Sequence, residues 1–241
     1  MTTHKVVTHD EWVAARKKHL AKEKEFTRLR DQLSKERREL PWELVEKKYT
    51  FEGEKGRQTL GEVFGGRSQL VIYHAMFNPE TAGPHTTWTA DAPCFVCSFW
   101  MDNFNGITVH LNHRDITMVA VSRAPYAKLA AYKRRMGWTF PWYSSVGSDF
   151  NFDYRVSFTP DELEAGEVDY NYGMEPVSMS EAHGISVFLK EDGRIYHTYS
   201  TYARGLDMLN VAYHYMDLVP KGRDEADAGA AWIRRRDEYQ D

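Results

Sequence analysis

Two runs decide how this chain folds: Gln69-Leu70-Val71-Ile72-Tyr73-His74-Ala75-Met76-Phe77, and Cys94-Phe95-Val96-Cys97-Ser98-Phe99-Trp100 after an intervening loop. The first run is apolar at odd and even positions alike. A strand built from it needs cover on both faces, as in a parallel sheet flanked by helices. The loop is rich in Pro, Thr, Gly and Trp, and the residues from Phe95 to Asn105 suit a helix that Ile107–His113 can continue past Gly106.

Working outward, Ile116–Ser122 reads as a second buried strand, and Pro125 opens a helix to about Met136. Lys133, Arg134 and Arg135 fall in its last turn, where the helix dipole favours cations, and Gly137 stops it. Upstream, Tyr49–Phe51 is a short strand and Thr59–Phe64 a helical turn. Downstream, Trp138–Ser145 is extended with Pro141 at a bend, and residues 150–182 are irregular apart from a short helix capped by Thr159-Pro160-Asp161-Glu162. Ile185–Leu189 and Arg194–Tyr199 flank an Asp192-Gly193 hairpin turn, and a last helix is expected from Gly205 to Met216. Strand, helix, strand, helix, hairpin, helix is the order of a thioredoxin fold. The chain is therefore expected to be a three-layer α/β, thioredoxin-like protein with a mixed central sheet.

Residues 9–40 predict a long N-terminal helix with Trp12, Val13, Ala15, Leu20, Phe26, Leu29 and Leu33 at roughly helical spacing. Acids interleave with its Lys and Arg, so its polar face is a solvated one and not a nucleic-acid or membrane patch. It reads as an arm packed on the main domain or on a second subunit, and a homodimer is expected. The organisation predicted is an arm at 1–48, a thioredoxin-like domain at 49–219 with an insertion at about 150–182, and a polar surface tail at 220–241.

Over 241 residues, 42% hydrophobic and 27% charged content describe an ordinary folded protein. A net charge of −4 gives no reason to expect a polyanionic partner. No uncharged apolar run reaches the roughly 18 residues a bilayer span needs, and the first residues lack the apolar core of a secretory signal. A reducing cytoplasm is the expected location. There, the 2 cysteines cannot be a disulfide scaffold. They are a redox pair, half a metal site, or two small buried hydrophobes.

The redox reading rests on position. At the end of a buried strand and the first turn of a helix, unpaired N–H groups and the dipole stabilise a thiolate, which is the nucleophilic form. A spacing of three returns the second sulfur to the same side, where it can resolve a mixed disulfide. Cys94 is then the attacking thiol and Cys97 the resolving one. Zinc would need two further ligands, and neither a second C-x-x-C nor a close His pair supplies them. His85, His110 and His113 can join only if the fold brings them in. Haem attachment is excluded because Ser98 stands where that motif needs His. No metal and no cofactor are predicted.

Ligands in open α/β sheets sit beyond the carboxyl ends of the parallel strands, which puts Ser122 and Arg123 on the edge that carries Cys94. Arg123 can lower the thiol pKa or hold an anionic substrate, or simply pair with an acid. His183, just before the hairpin, is either a proton carrier or a solvated histidine. His74, inside an apolar strand, reads as a hydrogen-bonded core residue. The aromatic surplus (Trp88, Trp100, Trp138, Trp142, Phe150, Phe152 and Tyr154) reads as core or interface by default.

Five segments carry a family resemblance: Gln69–Phe77, Cys94–Trp100, Val119–Pro125, Gly137–Trp142 and Tyr199–Gly205. They closely resemble a bacterial thioredoxin-like group, domain-of-unknown-function family 899, and the likeness covers nearly the whole chain. It implies a thioredoxin-like fold with a peroxiredoxin-type layout. Where that family resembles Cys-Pro-Ser-Cys, this chain has Phe95 and Val96 between its cysteines, and those positions tune thiol pKa and potential. Thioredoxins also set a cis-proline beside the dithiol; the matching position here is His183-Gly184-Ile185. In the peroxiredoxin pattern Pro-x-x-x-Thr/Ser-x-x-Cys, Thr87 takes the Pro position and Asp91 the Thr/Ser position.

The leading expectation is a thiol–disulfide oxidoreductase, with a disulfide substrate and a cellular thiol reductant as partners. The rivals are a thiol peroxidase, in which Cys94 becomes a sulfenic acid that condenses with Cys97, and a non-enzymatic binding or redox-sensing module with a structural cysteine pair.

Overall fold

The computed structural model describes residues 4–225 and 229–240. They fall into two units, one ending at Pro41 and the other beginning at Trp42. In the first unit, helix α1 (His9–Arg38) begins with a capping box, in which Thr8 accepts from the Glu11 N–H and Glu11 accepts from the Thr8 N–H. Asp10 and Glu11 in its first turn and Lys35, Arg37 and Arg38 in its last complement the dipole. Trp12, Phe26, Leu29 and Leu33 are exposed along it.

Among the described residues the second unit has ten strands: β1 (Glu43–Leu44), β2 (Thr50–Gly53), β3 (Gly56–Thr59), β4 (Gln69–His74), β5 (Ile116–Ser122), β6 (Trp142–Ser144), β7 (Val168–Tyr170), β8 (Gly173–Glu175), β9 (Gly184–Glu191) and β10 (Arg194–Tyr202). Eight of them form one mixed sheet in the order β1-β10-β9-β4-β5-β6-β2-β3. β4 pairs parallel with β5 from Gln69↔Ile116 to His74↔Val121, and antiparallel with β9. The hairpin β9–β10 completes a thioredoxin-like core. Within residues 42–48, Glu43 and Leu44 pair with His197 and Tyr196 of β10 at the sheet edge. A two-residue strand is too short to leave a period-two signature.

The helices are α2 (Leu60–Val63), α3 (Phe95–Met101), α4 (Phe104–Asn112), α5 (Tyr126–Met136), α6 (Phe150–Asp153), α7 (Pro160–Glu164) and α8 (Val211–Met216). One sheet face is covered by α3, α4, α5 and α8 through Trp100, Phe104, Leu129, Tyr132 and Tyr213, together with both cysteines. The other is covered by α2 and α6 through Leu60, Val63 and Phe150. Along β4 the side chains alternate accordingly: Tyr73 faces the first cluster, Leu70 and Ile72 the second.

Three elements differ from the expectation, each for a local reason. The helix after the cysteines breaks between α3 and α4, where the Asn103 amide donates to the Phe99 and Trp100 carbonyls, both at 3.1 Å, and competes with the ladder. The last helix shortens to α8, preceded by a 3-10 turn at Ala203–Leu209, because the Asn210 side chain caps the N–H groups of Ala212 and Tyr213. The C-terminal segment is not a surface tail throughout. Ile233 is buried, Arg235 donates to the Pro93 carbonyl at 2.7 Å, and Arg135 of α5 grips Asp237 and Glu238. The apolar run Ala230–Ile233 is too short to give a periodic signal. Among the described residues no helix is long and apolar enough to cross a membrane.

Candidate redox site

Met76, just past β4, holds both cysteines. Its carbonyl accepts from the Cys94 N–H at 2.9 Å, and its N–H donates to Cys97 Sγ at 3.4 Å. Cys94 is the N-cap of α3, with Sγ accepting from the Cys97 N–H at 3.5 Å. Ser98 locks the same turn: its hydroxyl donates to the Cys94 carbonyl and contacts the Tyr132 hydroxyl. The sulfurs are unbridged, and the two residues are only 2% and 1% exposed.

Two buried hydroxyls flank the pair. Thr87 and Tyr73 have no partner of full hydrogen-bond geometry, and each lies beside a sulfur, Thr87 at Cys94 and Tyr73 at Cys97. Burial by itself pushes the Cys94 thiol up. It is outweighed by the Cys97 thiol, the Thr87 hydroxyl and the N–H groups of Cys97 and Val96, which bring Cys94 down to about 7. Cys97 moves the other way: burial and the neighbouring Cys94 raise it, against smaller opposing pulls from Tyr73 and the Met76 N–H. When this pair loses one proton, it leaves from Cys94, giving a thiolate beside the Cys97 thiol.

Of the other residues singled out, Ser122 is buried with its hydroxyl already engaged, donating to the Ala75 carbonyl at 2.6 Å and accepting from Trp142 Nε1 at 3.0 Å. It ties β5 to the segment after β4 and has no proton left for a substrate. Arg123 pairs with Glu181 at 3.3 Å and stacks over Phe152, so the pairing reading describes its contacts. His183 is half-buried, tilted against Trp100 with ring centroids 6.3 Å apart, and burial lowers its pKa. No contact joins it to a sulfur. His74 is the hydrogen-bonded core residue expected, with Nε2 at 2.9 Å from Ser186 Oγ. Among the described residues no three His, Cys, Asp or Glu side chains gather to hold a metal ion.

Sequence reading missed Thr87, Tyr73 and a buried carboxylate. Tyr73 was findable, since strand parity places it opposite His74 and on the cysteine face. Glu181 is 2% exposed and accepts from Asn78 Nδ2, Ser157 Oγ and Arg123 Nη1. Burial holds its pKa up at about 7. Asn78 in turn accepts Trp88 Nε1 at its carbonyl, which anchors the loop carrying Thr87.

A family model described as a bacterial protein of unknown function, DUF899, matches residues 1–239. The chain belongs to this family. A comparison with curated proteins finds no match. Among solved structures, a cysteine-to-serine mutant of Xanthomonas campestris peroxiredoxin Q is similar at 14% identity and a TM-score of 0.43, covering 73% of this chain and 98% of that one. Peroxidoxin BcpB from Mycobacterium tuberculosis is similar at 12% identity and 0.41, covering 70% and 93%. Reduced 2-Cys peroxiredoxin from Plasmodium vivax is similar at 12% identity and 0.42, covering 73% and 94%. Within this family, the fold of the present chain rests on its own strand order and register.

Proposed function

We propose that this protein is a thiol–disulfide oxidoreductase whose dithiol Cys94–Cys97 cycles to a disulfide. The observation that carries the reading is the geometry of the pair: Cys94 caps α3 with Sγ accepting from the Cys97 N–H at 3.5 Å, while the Met76 N–H donates to Cys97 Sγ at 3.4 Å, an arrangement in which Cys94 is shifted down and Cys97 up. Cys94 Sγ, as thiolate, attacks one sulfur of a substrate disulfide; that S–S bond breaks and the other substrate sulfur leaves as a thiolate. The attack consumes the Cys94 charge, and with it one cause of the raised Cys97 pKa. The Met76 N–H and the Tyr73 hydroxyl then support a Cys97 thiolate. Its proton goes to the departing thiolate, and Cys97 attacks Cys94 Sγ, breaking the mixed disulfide and releasing the second substrate sulfur as a thiolate. A cellular dithiol restores the reduced pair by the reverse exchange.

A second reading, peroxide as the oxidant, is favoured by burial. With Cys94 only 2% exposed, a two-oxygen molecule reaches the sulfur more readily than a disulfide in a folded protein. Cys94 Sγ then attacks the peroxide, the O–O bond breaks, the leaving oxygen takes a proton, and the Cys94 sulfenic acid loses water as Cys97 closes the disulfide. The experiment is a trap with Cys97→Ser. A mixed disulfide accumulating on Cys94 supports the first reading, and a sulfenic acid formed by stoichiometric peroxide supports the second. A Cys94 inert to both oxidants rejects both and leaves a structural cysteine pair.

A further inference from the structure

On the sheet face away from the dithiol, His74 of β4, Ser186 of β9, and Ser200 and His197 of β10 enter an otherwise apolar layer. His74 Nε2 lies 2.9 Å from Ser186 Oγ, Ser186 Oγ 2.9 Å from Ser200 Oγ, and Ser200 Oγ 2.7 Å from His197 Nε2. His197 Nδ1 then meets Glu43 Oε2 of β1 at 3.2 Å. The strand register explains the alignment. Ser186 pairs with Ser200 and His197 with Glu43, while the bulge between His197 and Tyr199 brings residues 197 and 200 onto one face. His74, Ser186 and Ser200 are 1%, 0% and 3% exposed, whereas His197 lines an open cavity of about 400 Å³.

Proton counting gives this ladder a direction. Glu43 can only accept, so His197 carries its proton on Nδ1 and leaves Nε2 as an acceptor. Ser200 must then donate to His197, Ser186 to Ser200, and His74 Nε2–H to Ser186. The far end agrees: His74 Nδ1 is buried without a partner, and an unpaired acceptor there is less costly than an unpaired N–H. The opposite order would point a ring lone pair at a carboxylate and strand an N–H in the core. We propose that His74, Ser186, Ser200 and His197 form a hydrogen-bond relay, polarised toward the cavity and distinct from the dithiol, that passes the protonation state of His197 into the core. When His197 gains a second proton, both of its nitrogens donate. Ser200 then turns to donate to Ser186, whose oxygen accepts from both Ser200 and His74 Nε2–H.

The groups facing the relay are few. His197 meets Glu43 and the rings of Tyr154 and Phe188, and the cavity adds Lys47, Asp153, Arg155 and Asp169. His74 sits between Ser186 and the rings of Phe150 and Tyr154. Burial holds His74 at about 3, so it stays neutral and answers through the hydrogen bond its Nε2–H makes to Ser186.

The test is long-range ¹H–¹⁵N NMR of the histidine rings in the full chain, with His74 and His197 assigned by His→Gln substitution. At neutral pH the expected species are Nε2–H for His74 and Nδ1–H for His197. As acid converts His197 to the doubly protonated form, the His74 Nε2–H resonance is expected to shift at the same midpoint, because Ser186 becomes a double acceptor. Ser200→Ala should uncouple the two, leaving His74 unresponsive. A His74 Nε2–H resonance that stays put while His197 titrates overturns the proposal, as does coupling that survives in Ser200→Ala. Should that variant not fold, the wild-type titration decides alone.

Discussion

Replacing Thr87 by Val asks how much of the Cys94 thiolate depends on one hydroxyl. The side chain keeps its shape and loses the donor beside Cys94 Sγ, while the Cys97 thiol and the N–H groups of Cys97 and Val96 remain. A hydrogen bond to a charged group contributes roughly 1.5–3 kcal/mol, and sulfur is a weak acceptor, so the low end applies. At about 1.4 kcal/mol per unit, Cys94 rises by about one unit from its value of about 7. At neutral pH the thiolate fraction then falls from roughly a half to roughly a tenth, about fivefold. The assay is ultraviolet thiolate absorbance against pH on the reduced protein, with Thr87→Ser as the variant that keeps the hydroxyl and should keep the wild-type midpoint. An unchanged midpoint in Thr87→Val, or equal shifts in both variants, refutes the assignment of Thr87.

Tyr73→Phe removes the donor beside Cys97, so the second chemical step slows by about tenfold, as expected for one lost hydrogen bond to a forming charge; rapid-quench mass spectrometry should show the Cys94 mixed disulfide persisting while its formation rate is unchanged. Glu181 has a folded pKa raised by burial to about 7. The native state therefore keeps a proton that the unfolded chain loses, and stability falls as pH rises between about pH 4.5 and about pH 7, on the order of 3 kcal/mol in all. Urea unfolding across that window should show the slope in wild type and not in Glu181→Gln. Arg235→Met takes the donor from the Pro93 carbonyl; the loss expected is about 1–3 kcal/mol in urea midpoint terms, with near-complete loss of the Arg235–Glu238 pair as a lesser contribution.

How far the sequence was legible depends on the range of the forces involved. The runs Gln69–His74 and Ile116–Ser122 announce buried parallel strands by lacking alternation, and Asp192-Gly193 announces the hairpin by turn chemistry. The cysteines announce themselves by spacing at a strand–helix junction. What stayed hidden is set by contacts remote in sequence. Glu181 looks like one more surface acid until Asn78, Ser157 and Arg123 close around it. Thr87 counts as a loop residue until the Asn78–Trp88 bond folds its loop back on Cys94. The His74–His197 ladder depends on a bulge at residues 197–199, which shifts side chains from one face to the other and which no local pattern in β10 betrays. Asn103 and Asn210 illustrate the converse: their capping bonds are local, and their residue type was a readable signal for the helix breaks at both places.

The central claim is that Cys94 and Cys97 act as one redox centre with Cys94 leading. The most direct measurement is single-turnover oxidation of the reduced, full-length protein by one equivalent of a small disulfide or of peroxide, followed by alkylation and peptide mass mapping. The account predicts one product, the intramolecular Cys94–Cys97 disulfide, preceded by an adduct or sulfenic acid on Cys94 alone. First modification at Cys97, or two free thiols after exposure to either oxidant, would contradict it.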